Sequence, residues 1–135
     1  MRILLGIDVG RVKTGVARSI GKLTEPLVVI REKNPEQLAQ IIAKICQKEK
    51  AAKVIIGLPE GRIKAYAQQI ADLLTKRGIP SLLWDETLTT KDAQKYALAA
   101  GISLKKRRRL EDAFAAAVIL QSYLDAHQVR DLLNL

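Results

Sequence analysis

Short apolar runs that end at turn residues mark the first part of the chain. Residues 3–7 form a continuous apolar run, typical of a strand covered on both faces, which ends at Asp8-Val9-Gly10. Apolar and polar or small residues then alternate over residues 12–17, which predicts a second strand, antiparallel to the first through the short turn. Residues 27–30, opened by Pro26, predict a third strand that completes a meander.

From residue 34 onward the apolar residues change to the period of a helix. Leu38, Ile41, Ile42 and Ile45 share one helical face, with Asn34-Pro35 as the expected start. The same spacing predicts further helices from about Tyr66 to Arg77, from Thr89 or Thr90 to Ala100, and from about Glu111 to His127. Strands are expected at residues 53–58 and 81–84, and a basic loop before the last helix.

The resulting order is β-β-β-α-β-α-β-α-α. Helices long enough for right-handed crossovers separate the later strands, which are therefore expected to be parallel. We predict an α/β fold with a mixed five-stranded sheet, antiparallel over its first three strands and parallel over the last two, and with helices on both faces. The 135 residues fit a single domain spanning residues 1–135.

Composition narrows the class of protein. With 48% hydrophobic and 27% charged residues the chain matches globular usage. No apolar run approaches the roughly 20 residues of a membrane helix. The N-terminus has no cleavage-site pattern of a secretory signal, and the single Cys46 excludes an internal disulfide. These features predict a cytoplasmic protein without a membrane partner.

Positive charge is concentrated near the last helix. The chain has 23 Lys and Arg against 14 Asp and Glu, a net charge of +9, and Lys105-Lys106-Arg107-Arg108-Arg109 supplies five of the cations in one run. Such a run suits a phosphate backbone. Taken alone, it equally fits a solvated basic loop or a contact with an acidic protein.

Acidic residues stand where predicted elements meet. Asp8 ends the first strand, Asp85-Glu86 ends the fifth, and Glu111-Asp112 opens the last helix. Ligands of such sheets bind at the carboxyl ends of parallel strands, and clustered carboxylates suit hard divalent cations. Beside a cationic segment, they indicate two-metal phosphodiester hydrolysis, with ions about 4 Å apart. Pattern alone does not separate Asp85 from Glu86, because adjacent strand residues point in different directions.

Each candidate also has a structural interpretation. Asp8 could simply shape a turn, and Glu111 is better explained as an acid that complements a helix N-terminus. Trp84 follows apolar residues in a buried strand, so we expect it to pack in the core rather than to stack on a base. Cys46 and His127 are expected to be structural or incidental.

Several segments, in this order and at these element ends, together resemble a known family. They are Gly6–Gly10 with Lys13–Ala17, Gly57–Pro59, Leu83–Thr90, and Lys105–Arg107 running into Asp112–Ala116, with Ile119–Leu124 behind. Over almost its whole length the chain thus resembles the YqgF (RuvX) family of the ribonuclease H-like, RuvC-related superfamily. That family is described as Holliday-junction-resolvase-like, and as nucleases that mature the 5′ end of pre-16S rRNA in the bacterial cytoplasm.

The resemblance implies a ribonuclease H-like fold and an Mg²⁺- or Mn²⁺-dependent endonuclease acting on structured nucleic acid. By position, Asp8, Glu86 and Asp112 would be catalytic metal ligands, with Asp85 in reserve. Gly10 and Gly15 would let the first hairpin approach the backbone, while Lys13 and the basic run would hold phosphates.

One segment departs from the family pattern. Only Glu60-Gly61 separate Pro59 from Arg62, where the family is expected to have a longer polar loop. Arg62 and Lys64 could replace some of its phosphate contacts. Glu60 could add a carboxylate to the site, although a helix N-terminal acid is the safer interpretation.

Three functional classes follow. We place 5′-end maturation of pre-16S rRNA ahead of resolution of Holliday junctions in branched DNA. A non-catalytic nucleic-acid-binding factor is the second class. The first hairpin also resembles the phosphate-binding hairpin of actin-like kinases, but those enzymes need two such lobes and this chain has one. A homodimer suits paired cuts in a junction, and a monomer is equally compatible with RNA cleavage.

Overall fold

A five-stranded mixed sheet organises the structure, a computed structural model that describes residues 2–85 and 104–133. Its strands are β1 (Ile3–Asp8), β2 (Lys13–Ile20), β3 (Leu23–Arg31), β4 (Ala51–Leu58) and β5 (Ser81–Asp85), and its helices are α1 (Pro35–Glu49), α2 (Ile63–Lys76), α3 (Leu104–Arg109) and α4 (Glu111–Leu133). The strand order is β3-β2-β1-β4-β5. The pairs β1-β2 and β2-β3 are antiparallel, and β1-β4 and β4-β5 are parallel, as predicted.

Three predictions concern the part of the chain after β5. The helix expected from Thr89 or Thr90 to Ala100 lies outside the described residues. The basic loop is wrong, because residues 104–109 form the helix α3. Lys and Arg are good helix formers, so a basic run does not by itself indicate a loop. The helix α4 also continues past His127 to Leu133.

Local sequence explains how α1 begins and how both α1 and α2 end. The Asn34 side chain caps α1 by accepting a hydrogen bond from the Gln37 backbone N–H at 3.0 Å, and Pro35 is the first helical residue. Lys50 ends α1 in a left-handed conformation (φ 56°). Gly78 adopts φ 82° just after α2, a conformation that glycine tolerates best.

The strand β3 is longer than expected, and its proline lies inside it. Ala17 pairs with Pro26, whereas Val16 pairs with Val28, so Leu27 is an extra residue that forms a bulge. Proline has no N–H to donate and is tolerated at bulges and on edge strands, and β3 lies at one edge of the described sheet. The bulge shifts the pairing by one residue, so that Lys13 pairs with Arg31.

Helices cover both faces of the sheet, as predicted. On one face, side chains of the central strands pack against α1 and α2 in the main core, which includes Leu5, Ile7, Val16, Val54, Ile56, Leu38, Ile42, Ile70 and Leu74. Cys46 also belongs to this core. On the other face α4 buries Ala116 and Ala117 against Ala17, and Leu120 against Ile55. Among the helices of residues 2–85 and 104–133, none has the length and hydropathy of a membrane span.

Glycines on the second face let α4 lie close to the strands. A Cβ atom on Gly15 would overlap the carbonyl oxygen of Asp112. A Cβ on Gly6 would lie 2.7 Å from Leu120 Cβ and 2.8 Å from the Ala116 carbonyl oxygen. These distances are shorter than van der Waals contact, so helix and sheet are in backbone contact at Gly15, where any larger residue would push them apart.

We expect Gly15→Ala to lower the free energy of unfolding by about 1 to 3 kcal/mol, because overpacking forces the backbone to shift. Urea denaturation measures this loss. Gly78→Ala is a suitable control, because a Cβ at that position would have no atom within 4 Å, and its cost of about 1 to 2 kcal/mol comes only from the left-handed backbone. Amide NMR shifts at Asp112 and Ala113 should change in Gly15→Ala alone; unchanged shifts there would contradict the close approach.

Candidate active site

Asp8 is the last residue of β1, the central strand of the described sheet. Its neighbour Ile7 is buried in the core beneath α1 and α2. Because side chains alternate along a strand, Asp8 is directed to the opposite face, the one covered by α4. It pairs across the strands with Gly15.

The contact between Gly15 and α4 brings Asp112 to Asp8. Asp112 is the second residue of α4, and its backbone lies directly on Gly15. Burial raises the pKa of the Asp8 carboxyl from 3.8 to about 6, and the negative charge of Asp112 contributes to the increase. Two carboxylates from opposite ends of the chain therefore share one half-buried site.

This pair fits part of a site for a hard divalent cation. A cation between the carboxylates would offset both the burial of Asp8 and its repulsion from Asp112. Within residues 2–85 and 104–133, no group of three or more His, Cys, Asp or Glu side chains is placed to hold a metal. Glu86, the third predicted ligand, lies outside the described residues.

The structure distinguishes Asp85 from the other candidates. Trp84 packs toward Tyr123 of α4, whereas Leu83 packs against the core beneath α1 and α2. By alternation, Asp85 is directed away from the α4 face. Asp85 is exposed at the end of β5, two strands and roughly 10 Å from β1. It is therefore not brought together with Asp8.

The remaining acidic candidates lie apart from the pair or at a helix start. Glu111 is the first residue of α4, where its charge complements the helix N-terminus. Glu60 is exposed in the turn before α2, and the first turn of that helix contains no acidic residue. Glu60 therefore precedes the N-cap residue Arg62 and lies outside the first turn of α2.

Several predicted phosphate-binding residues are accessible. Lys13 is exposed at the start of β2, and Lys105, Lys106 and Arg109 are exposed on α3. The side chains of Arg107 and Arg108 lie outside the described ones. Arg62 is exposed at the start of α2, with no side-chain capping bond, and Lys64 is exposed two residues later.

Arg31 is a basic residue that the sequence pattern does not mark. It ends β3, is exposed, and pairs with Lys13. The sequence does show that Lys13 begins one strand of the hairpin and that Arg31 ends the other. To predict that the two residues pair, one must also know where the bulge lies, since a regular pairing would be shifted by one residue.

Trp84 is a packing residue, as expected. Its ring lies edge-on to Tyr123, with centroids 5.3 Å apart, and its indole N–H donates to Ser122 Oγ at 3.3 Å. His127 lies against the same ring of Tyr123, with centroids 3.9 Å apart. These aromatic side chains link β5 to α4.

Comparison with known proteins adds an independent finding. The sequence model of one family, described as RuvX: Holliday junction resolvase, matches residues 2–126. A protein of Clostridium acetobutylicum is 38% identical over 135 residues, covering 93% of this chain and 99% of its own length. A protein of Syntrophus aciditrophicus is 37% identical over 138 residues, covering 93% and 89%. Both are named as candidate pre-16S rRNA nucleases.

Solved structures with low sequence identity share the fold. RuvC of T. thermophilus, in complex with a Holliday junction substrate, aligns with a TM-score of 0.63 and 14% identity, covering 95% of this chain and 96% of RuvC. The fowlpox virus Holliday junction resolvase aligns with a TM-score of 0.65 and 11% identity, covering 92% and 98%. The predicted ribonuclease H-like fold is therefore confirmed.

We expect Asp8→Asn to stabilise the protein when a chelator removes divalent cations. Because the folded pKa of about 6 lies above 3.8, the Asp8 contribution to stability is fully present below pH 3.8 and is lost as the pH rises through 6. At pH 7.5 the buried charge costs up to about 3 kcal/mol, which asparagine avoids.

Urea denaturation in EDTA at pH 4 and pH 7.5 measures this effect. The gain should be present at pH 7.5 and largely absent at pH 4. Asp72→Asn, a change of an exposed residue on α2, is the matched control and should show no gain. An Asp8→Asn variant no more stable than wild type at pH 7.5 would contradict the burial of this charge.

Proposed function

The chain belongs to the RuvX family, and from this membership we propose that it is a nuclease, a hydrolase that cuts phosphodiester bonds within structured nucleic acid. The observation that carries the proposal is the convergence of Asp8 and Asp112 at the carboxyl end of the central strand. The basic helix α3 immediately precedes α4, so Asp112 and the positive charges of α3 lie next to each other along the chain.

Asp8, Asp112 and Glu86 are the proposed ligands of Mg²⁺ or Mn²⁺. Asp8 and Asp112 supply oxygen donors, which these hard cations prefer, and Glu86 follows the last residue of β5 in the sequence. A bound divalent cation would activate the attacking water and stabilise the leaving oxygen of the cut phosphodiester. Asp85 is not included, because it is directed to the other face of the sheet.

The chain itself supplies positioning and charge. Asp8 is fixed by the β1-β2 pairing, and Asp112 by the contact of its backbone with Gly15, so neither depends on a loop for its place. The exposed Lys105 and Lys106 of α3 would attract the phosphate backbone without reading bases. Arg62 and the side chains of Arg107 and Arg108 are further proposed contacts.

The proposed substrate is the 5′ region of pre-16S rRNA, acted on in the cytoplasm. Relatives 38% and 37% identical over nearly the whole chain are named for that reaction. A Holliday junction in branched DNA is the second candidate, favoured by the family description and by the RuvC-like fold. The two substrates differ in the assembly they need, since resolving a junction takes two cuts, and thus a homodimer, whereas maturing one RNA end takes a single cut.

We expect Asp8→Asn and Asp112→Asn each to reduce cleavage by more than about 100-fold while the protein still binds nucleic acid. Loss of an outer partner of a metal ligand already costs about 10- to 100-fold, and loss of a ligand should cost more. Asp72→Asn should cleave as wild type does. The assay uses end-labelled pre-16S rRNA and four-way DNA junctions, with Mg²⁺, Mn²⁺ or chelator.

The outcomes of this assay separate the functional classes. Cleavage that requires both metal and Asp8 supports the nuclease, and the substrate that is cut identifies its reaction. Full metal-dependent activity in Asp8→Asn would remove the proposed role of that residue. Binding without cleavage of either substrate under any metal would instead indicate a non-catalytic nucleic-acid-binding factor.

We expect neutralising Lys105 and Lys106 to glutamine to weaken binding at all sequences and to reduce the salt slope, d log K/d log[salt], by about 2, because each phosphate contact contributes about 0.9. Fluorescence anisotropy in EDTA at several salt concentrations measures the slope. The matched control neutralises Lys44 and Lys48, which are exposed on α1 at the opposite face. Equal slopes for the two double variants would place the nucleic-acid surface elsewhere.

A further inference from the structure

A cavity of about 250 Å³ lies between the β2-β3 pair and the junction of α3 with α4. Three basic and three apolar residues line it: Lys13, Arg31, Arg109, Val28, Val29 and Leu110. Neither the binding of a metal by the carboxylate pair nor the attraction of phosphates by Lys105 and Lys106 requires this cavity.

The cavity and the carboxylate pair occur on the same face of the sheet. Lys13 precedes Gly15 by two residues, so the side chain of Lys13 is directed to the face covered by α4. Arg31 pairs with Lys13 and shares that face, as Asp8 does through its pairing with Gly15. On β2, Lys13 and Gly15, the residue paired with Asp8, are roughly 7 Å apart along the strand.

The bulge in β3 determines which side chain faces the cavity. If Leu27 paired regularly with Val16 instead of forming the bulge, Lys13 would pair with Ile30 and Arg31 would be directed to the other face. In the structure, Ile30 is instead 7% exposed in the core beneath α1 and α2. The bulge therefore places a second cation beside Lys13 and an apolar residue in the core.

The helix junction supplies the third cation. Leu110 separates α3 from α4, and its N–H donates to the Lys106 carbonyl at 3.0 Å, while its own carbonyl accepts from the Phe114 N–H at 2.9 Å. Leu110 also packs against the buried Phe114. These contacts fix the backbone next to Arg109, which lines the cavity together with residues of the hairpin.

The cations of the cavity lack acidic partners within the described part of the chain. No Asp or Glu whose side chain the structure describes lies within ion-pair distance of Lys13, Arg31 or Arg109. At the other end of the same hairpin, Arg18 pairs with Glu25 and, at 2.7 Å, with Glu49. The hairpin thus pairs Arg18 with acidic side chains, whereas Lys13 and Arg31 lie side by side at the end next to Asp8.

We propose that this cavity binds one phosphodiester group of the substrate backbone, close to the group cut at the carboxylate site. This inference rests on the proposed function. The three cations attract the single negative charge of a phosphodiester, and the apolar Val29 and Leu110 offer contact to the adjoining sugar. Lys13 and the residue paired with Asp8 are roughly 7 Å apart on β2. At a rise of about 3.4 Å per nucleotide, this distance places the phosphodiester in the cavity and the one that is cut within a few nucleotides of each other on one strand.

The first test compares Arg31→Gln with Arg77→Gln in EDTA, using a labelled pre-16S rRNA fragment. Arg77 is exposed at the end of α2, so the control makes the same charge change on the other face. Arg31→Gln should reduce the salt slope of binding by about 0.9. If the variant and the wild type bind equally at an extrapolated 1 M salt, the variant then binds about eightfold more weakly than the wild type at 0.1 M. Arg109→Gln should do the same, and Arg31→Lys should restore the slope.

A second test locates the ligand directly. A dinucleotide with one phosphodiester and no terminal phosphate should shift the amide NMR signals of Lys13 and Arg31 and the side-chain Nε signal of Arg109, and Arg31→Gln should abolish these shifts. Inorganic phosphate is the comparison ligand. Shifts with inorganic phosphate alone, or shifts confined to other residues, would overturn the proposal, as would binding of an acidic peptide in preference to the dinucleotide.

Failure of this proposal and failure of the proposed function give different results. If the chain cleaves nucleic acid but Arg31→Gln behaves as Arg77→Gln does, the cavity does not hold the backbone although the nuclease stands. If no substrate is cut while Arg31→Gln still lowers the salt slope and loses the dinucleotide shifts, the cavity binds a phosphodiester and the enzyme proposal is wrong.

Discussion

The backbone contact between α4 and the sheet at Gly15 is the constraint on which the rest of the site depends. Residue 15 has no Cβ, so the carbonyl of Asp112 can lie on β2 directly opposite the position where Asp8 ends β1. Any side chain at this position would move the start of α4 away from the strands. The same close approach continues along the helix at Gly6, so the position of Asp112 follows from the packing of the whole helix and not from a flexible connection.

Because of this packing, one face of the sheet contributes mainly to stability and the other carries the charged residues of the candidate site. The face beneath α1 and α2 contains the main apolar core, which provides most of the burial. The face beneath α4 contains small residues, the half-buried carboxylate of Asp8 and the cations at its end. Keeping Asp8 charged in such surroundings costs stability, and the extensive core on the other face offsets that cost. A site that binds a cation gains from this arrangement, since the unfavourable charges are in place before the cation arrives.

The β2-β3 hairpin contributes through its register. Because of the bulge at Leu27, each side chain from Val28 to Arg31 is directed to the face opposite to the one it would have in a regular pairing of β2 with β3. Ile30 joins the core, and Arg31 joins Lys13 next to the carboxylates. At the other end Arg18 remains on the α1 side, where it pairs with Glu49. One bulge thus places Arg31 beside Lys13 at one end of the hairpin, while Arg18 at the other end is paired with acidic side chains.

Local sequence determined the type and order of the described strands and long helices, the capping of α1, and the candidate carboxylates Asp8 and Asp112, because each is encoded by periodicity or by residues adjacent in the chain. It did not identify α3 as a helix, because a run of five basic residues was interpreted as a solvated loop although Lys and Arg are good helix formers. Nor did it separate the face of Asp85 from that of Asp8, or mark Arg31. Those properties depend on strand register and on how closely α4 approaches the sheet. Only the tertiary structure decided them, because both arise from contacts between residues far apart in sequence, where a shift of one residue or the addition of one methyl group changes which side chains meet.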